Sequence, residues 1–165
     1  MKNRKGFTLI ELVVVVMILG ILASMGVPYY YKSIETTRAG DAVALGHLLG
    51  NANRMYALDN ANTYASGAVT NTCNGSTCAT ASGACKLVAC GYVTQQDWSN
   101  SSYDFYACNG AAGGAYCANS GSELGVSYAF RKAGASTPYS TWGYRFYNSG
   151  RCEALGTTPP PCPKF

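Results

Sequence analysis

The chain has 165 residues, 12 of them Lys or Arg and 8 Asp or Glu, so only 12% are charged, about half the share of an average soluble domain. That excludes a disordered, charge-rich chain. The net charge of +4 does not mark a nucleic-acid partner, because Lys2, Arg4 and Lys5 cluster at the start and the rest, nearly balanced, leaves no basic face for a phosphate backbone. The length suits one domain, with 48% apolar residues for a core and 19 Gly for loops.

The basic leader, residues 1–6, runs directly into Phe7-Thr8-Leu9-Ile10-Glu11 and then into residues 12–31 without a charge. Twenty such residues would span about 30 Å as a helix, the hydrocarbon thickness of a bilayer. The leader charges favour a cytoplasmic N-terminus, with everything after Tyr31 outside. Ala23-Ser24-Met25 is a poor imitation of the small-residue cleavage site of a secretory signal. Glu11 is the unexplained residue: a carboxylate at the edge of an apolar span costs about 1–3 kcal/mol, so it sits at headgroup depth or requires a partner.

Lys5-Gly6-Phe7-Thr8-Leu9-Ile10-Glu11-Leu12 followed by a long apolar run resembles the class III leader of type IV prepilins and pseudopilins. The resemblance covers about residues 1–60. It implies a cut by prepilin peptidase between Gly6 and Phe7, and N-methylation of Phe7. Glu11 would then engage the N-terminal amine of an adjacent subunit during filament growth. Cutting there removes the three leader charges and creates an ammonium four residues before Glu11. Two readings stay open: an intrachain pair at i, i+4 spacing, and an intermolecular pair that neutralises both groups only when subunits associate.

Within the span, Gly20 and Pro28 mark the place where the helix is expected to kink or melt, since Pro28 leaves the Ser24 carbonyl without its helical donor. From Tyr29 an amphipathic pattern follows, with Ile34, Asp41, Leu45, Leu48, Ala52 and Met55 recurring at intervals of three, four or seven. That stripe predicts the face that packs on a sheet. Gly40, Gly46 and Gly50 weaken the same helix, which fades at Asp59 and gives about 53 residues from Phe7.

All eight cysteines lie after residue 60 and none forms a C-x-x-C, which favours disulfides in an exported region over zinc. Residues 64–90 are rich in Ser, Thr, Asn, Gly and Ala and predict little regular structure beyond crosslinked loop. Strands are predicted at 102–108, 115–118, 126–132, 141–147 and 151–154, as an antiparallel meander. Of 105 possible pairings, the sequential set joins Cys73 with Cys78, Cys85 with Cys90, Cys108 with Cys117 and Cys152 with Cys162. The last pair encloses a Pro-rich tail that resembles the C-terminal disulfide loop of type IV pilins.

No nucleophile elbow, P-loop, zinc-protease or dinucleotide motif is present. The lone His47 is expected to be a packed or interfacial side chain, and no catalytic residue, cofactor or metal is assigned. The expected fold is α+β, of the type IV pilin kind: a long hydrophobic helix packed through its C-terminal half on a small antiparallel sheet in a disulfide-stapled head. The expected divisions are a cleaved leader (1–6), a transmembrane and filament-core helix (7–31), an amphipathic helix (32–60) and the head (61–165). The reading is a type IV pilus subunit, held in the bacterial inner membrane as a precursor and then polymerised into a helical filament, extracellular or periplasmic. The resemblance implies a prepilin peptidase, an assembly platform protein and an ATPase as partners. The alternatives are a type II secretion pseudopilin and, from another class, a single-span membrane-anchored binding protein.

Overall fold

The computed structural model describes residues 7–110 and 117–163. The chain divides between Thr37 and Arg38 into two compact units. One long helix, α1 (Leu9–Asp59), supplies all the regular structure of the first unit and the start of the second. It is continuous across Gly20 and Pro28, with no melted gap at either residue.

The second unit adds β1 (Gly67–Val69), α2 (Cys85–Ala89), β2 (Tyr103–Ala107), β3 (Gly125–Arg131), β4 (Gly143–Tyr147) and β5 (Cys152–Leu155). The five strands pair antiparallel in chain order, β1-β2-β3-β4-β5. This is the α+β, pilin-like architecture that the resemblance implied. Four strands lie at predicted positions. The strand predicted at 115–118 falls partly outside the described residues, and Cys117 and Ala118 are not in a strand; the nearest pairing is an isolated bridge between Ser120 and Glu123. Residues 64–90 are more ordered than predicted, since they hold β1, a 3₁₀ turn at Asn71–Gly75 and α2. β1 is only three residues long and pairs with distant β2, so no local alternation announces it.

The sheet meets α1 by matching large residues with small ones. Across the inner face the register aligns Phe105, Ala129, Tyr144 and Ala154 in one row, and Ala107, Ser127, Phe146 and Cys152 in the next. The central strand thus offers Ala129 and Ser127 where its neighbours offer rings. Within the second unit the buried positions of α1 are Ala39, Ala42, Val43, Gly46, Leu49, Gly50, Ala52, Asn53, Tyr56 and Ala57. A Cβ on Gly46 would lie 2.1 Å from Phe146 Cε2, and one on Gly50 would lie 2.9 Å from Ser127 Oγ. Ser127 Oγ donates to the Gly46 carbonyl at 2.8 Å. Of the predicted stripe, Ala52 is buried in this core and Leu45 packs against it, half-buried; the rest of the stripe does not supply the packed face. Leu48 and Met55 are 44% and 58% exposed and Asp41 is exposed. Size as well as hydropathy sets the face: opposite the Phe146 ring and Ser127 only glycine lets the backbones approach, while Leu49 and Tyr56 fill the space beside them.

Asn53 fastens this layer. It is fully buried; its Nδ2 donates to the carbonyls of Val126 (2.8 Å), Cys108 (2.9 Å) and Ala65 (3.2 Å), and its Oδ1 accepts from the Ala65 amide at 2.9 Å. One side chain thereby ties α1 to the chain after it, to the end of β2 and to β3.

Four disulfides link all eight cysteines. Cys108–Cys117 and Cys152–Cys162 are as predicted. The other two correct the sequential set: Cys73 pairs with Cys85 and Cys78 with Cys90. The reason is local geometry. Cys85 opens α2 and Cys90 caps it, and two residues five apart on a helix stand about 9 Å apart on different faces, beyond the roughly 7 Å that a disulfide bridges.

Candidate functional site

The candidate site is the exposed N-terminal stretch of α1. Helix formation there is dictated locally, since a residue with a side-chain oxygen precedes a long run of apolar residues and a glutamate follows three positions on. Thr8 precedes the first helical residue, Leu9, and Glu11 Oε2 accepts from Thr8 N at 2.9 Å and from Thr8 Oγ1 at 2.6 Å. The Glu11 amide donates to Thr8 Oγ1 at 3.4 Å. This is a capping box: hydroxyl and carboxylate reciprocally satisfy amides that the helix start leaves without partners. Thr8 was not among the predicted site residues, although the T-x-x-E spacing ahead of an apolar run was readable.

Beyond the cap, no part of the chain among the described residues covers the helix as far as Tyr31. Seventeen large hydrophobic side chains from Phe7 to Tyr31 are between 47% and 83% exposed. At about 1.5–3 kcal/mol for each such side chain brought out of water, this surface needs lipid or protein around it. The helix is long and apolar enough to cross a membrane. Phe7 is 83% exposed and Glu11 is exposed at the helix start. Gly20 has open space around it, as does Gly26, so neither glycine is required by packing within the chain. Gly6 lies outside the described residues.

In the second unit, α1 carries another exposed row on the side away from the sheet. Ala44, Leu48, Asn51, Met55 and Leu58 are exposed at alternating steps of four and three, the spacing of one helix face. His47 sits between the two faces, half-buried, with its ring 4.7 Å from that of Phe146 in an edge arrangement. Desolvation, and secondarily the Arg54 charge, hold its pKa below the ordinary histidine value. It is the packed side chain that the sequence predicted. The described residues hold no group of three or more His, Cys, Asp or Glu side chains placed to bind a metal.

Elsewhere the head's polar groups serve loops. Asp97 accepts from Ser99 Oγ (2.6 Å) and Asn71 Nδ2 (2.8 Å), which draw its pKa down to about 2. Glu123 accepts from Arg151 and Ser149, and the Arg151 guanidinium lies 4.1 Å from the Tyr147 ring. These networks fix turns.

The capped, exposed helix thus follows a short basic leader and carries Glu11 as its one charge before Lys32. Residues 1–27 match the family model described as the prokaryotic N-terminal methylation motif. The type II secretion system core protein G of Vibrio cholerae is 48% identical over 60 residues, 36% of this chain and 41% of that protein. A fimbrial protein of Pseudomonas aeruginosa is 50% identical over 44 residues (27% and 29%), and the type IV major fimbrial protein FimA of Dichelobacter nodosus is 50% identical over 42 residues (26% of each). The chain thus spans about two-fifths or less of the length of these relatives. No solved structure matches the chain.

Proposed function

We propose that this chain is a structural, non-enzymatic subunit of a type IV pilus filament, held in the bacterial inner membrane as a precursor and polymerised after its leader is cut. The observation that carries the reading is the surface of α1. The head completes its own core with the small-residue face, and the same helix still exposes an unbroken apolar N-terminal surface with one carboxylate near its start. A membrane satisfies that surface in the precursor, and neighbouring helices satisfy it in a filament.

In this reading, prepilin peptidase cuts after Gly6 and Phe7 becomes the methylated N-terminal residue. Residues 7–31 form the transmembrane and filament-core helix, residues 32–60 the amphipathic continuation and residues 61–165 the outward head. Glu11 pairs with the Phe7 amine of an adjacent subunit, exchanging the Thr8 hydroxyl for a full positive charge, and the burial cost of the carboxylate becomes a reason to assemble in register. Gly20 and Pro28 are the positions where the helix yields if assembly requires it. A platform protein and a cytoplasmic ATPase drive extraction. The subunit contact is head-to-tail and does not close on itself, which gives an open helical polymer.

The similarity to the V. cholerae secretion protein, longer than either fimbrial match, supports a second reading as a type II secretion pseudopilin. Maturation and polymerisation are common to both. Deletion of the gene separates them: loss of surface filaments supports the pilus, and loss of exoprotein release with filaments intact supports the secretion system.

Replacing Glu11 by Val tests the proposal. The span becomes more apolar, so membrane insertion should persist or improve, while filament yield should fall at least tenfold. Wild-type filament yield would reduce Glu11 to a headgroup-depth residue and remove the intermolecular pair.

A further inference from the structure

The pairing of the four cysteines between residues 73 and 90 carries an inference about how the head is made. Four cysteines allow three pairings, and the native one is the interlaced set, Cys73–Cys85 with Cys78–Cys90, each closing a separation of 12 residues. The consecutive set, Cys73–Cys78 with Cys85–Cys90, closes two separations of only five. In an unfolded chain the probability of ring closure falls roughly as the three-halves power of ring size. Each short ring is therefore favoured about fourfold over a native one, and the two together about fourteenfold. The third set, Cys78–Cys85 within Cys73–Cys90, is favoured slightly over the native set on the same scale, so the native pairing is the least probable of the three, about one chain in sixteen. Order of appearance acts in the same direction, because Cys73 and Cys78 precede Cys85 and Cys90 in a chain exported from its N-terminal anchor.

The folded head excludes the consecutive set. α2 separates Cys85 from Cys90, the 3₁₀ turn holds Cys73, and Cys73 is fully buried against the core with Leu87 and Val88. Early oxidation and final structure therefore demand different bonds. The other two disulfides, Cys108–Cys117 and Cys152–Cys162, join consecutive cysteines and present no such conflict.

We infer that this chain is a substrate of a thiol–disulfide isomerase, a catalytic dithiol kept reduced in the compartment where the head folds. The exchange balances without net oxidation. After a disulfide-bearing oxidant has closed the consecutive pairs, the isomerase thiolate attacks Sγ of Cys73, forms a mixed disulfide and releases the Cys78 thiolate. The Cys78 thiolate attacks Sγ of Cys90, which forms Cys78–Cys90 and releases the Cys85 thiolate. The Cys85 thiolate then attacks Sγ of Cys73 in the mixed disulfide, which forms Cys73–Cys85 and regenerates the isomerase thiolate. Two bonds break and two form. Formation of α2 and closure of the core around Cys73 make the last step favourable.

The test uses the full chain in detergent micelles, reduced and denatured, then returned to folding conditions with diamide alone or with diamide followed by a catalytic dithiol isomerase. Acid quenching and alkylation stop exchange. Hydroxylamine cleavage at Asn74–Gly75, trypsin at Lys86 and elastase at the alanines between Cys78 and Cys85 separate the four cysteines for mass mapping. With diamide alone the consecutive pairs should outnumber the interlaced pairs about tenfold, and the isomerase should reverse the ratio. Interlaced pairs in the majority with diamide alone would overturn the inference, and so would failure of the isomerase to recover them. The double variant Cys78→Ser, Cys90→Ser has no competing short ring. It should form Cys73–Cys85 with diamide alone and gain nothing from the isomerase; a persistent requirement for the dithiol would also overturn the inference.

Discussion

Gly46 and Gly40 lie six residues apart on the same helix, and replacing each by alanine should move stability in opposite directions. At either position alanine gains about 1 kcal/mol of helix propensity. At Gly40 nothing lies within 4 Å of the added Cβ, so the gain stands. At Gly46 the Cβ would lie 2.1 Å and 2.4 Å from two carbons of the Phe146 ring, which is itself 1% exposed and held in the core. Either the ring leaves its rotamer or β4 shifts away from α1, at about 2–4 kcal/mol. The net change is then a loss of about 1–3 kcal/mol for Gly46→Ala against a gain of about 1 kcal/mol for Gly40→Ala. Trp98 and Trp142 are both buried in the head, so tryptophan fluorescence during thermal unfolding of the full chain in micelles reports this unit. At about 4 °C per kcal/mol, Tm should rise by about 4 °C for Gly40→Ala and fall by roughly 4–12 °C for Gly46→Ala. Shifts of the same sign and size would refute the close approach of α1 to β4 and restore Leu48 and Met55 as candidates for the packed face.

Asn53→Leu should destabilise the head by about 3–5 kcal/mol: the Ala65 amide and carbonyl and the Cys108 carbonyl lose a buried partner, whereas the Val126 carbonyl keeps the Cys108 amide. Urea titration followed by fluorescence measures this, and a loss below about 1 kcal/mol would show that the clamp is dispensable. His47 predicts a pH dependence. Its folded pKa lies below the ordinary value, so the unfolded chain binds the proton more readily; the stabilisation is present above about pH 6.5 and is lost as pH falls through the folded value. Tm of the wild type should therefore drop more between pH 8 and pH 5 than Tm of His47→Gln, and parallel curves would contradict this.

The parts of the fold legible in the sequence were those carried by contiguous pattern. The apolar run of α1, its end at Asp59 and the four later strands each have a local signature, and so did the two disulfides that close hairpin-sized loops. The parts that were not legible depend on partners distant in the chain. β1 exists because β2 is there to pair with it. The buried face of α1 is set by the Phe146 ring on β4 and by Ser127 and Val126 on β3, so Gly46 and Gly50, which look like helix breakers, are contact residues, while Leu48 and Met55 of the predicted stripe are exposed. Asn53 reads as an ordinary polar helix residue until the three segments it joins are assembled. The interlaced disulfides follow from α2, a single short helix with no periodic pattern of its own. At the candidate site, the leader motif marks Phe7 and Glu11 as proposed assembly residues, helix-weakening chemistry marks Gly20 and Pro28, and the T-x-x-E capping spacing marks Thr8.

The central claim, that this is a filament subunit matured at Gly6, is tested most directly by the intact mass of the chain in filaments sheared from cells. The expected mass shows loss of residues 1–6, one added methyl group on Phe7 and eight cysteines without a free thiol. A chain that retains its leader in isolated filaments, or one found matured only in the membrane and never in polymer, would contradict it.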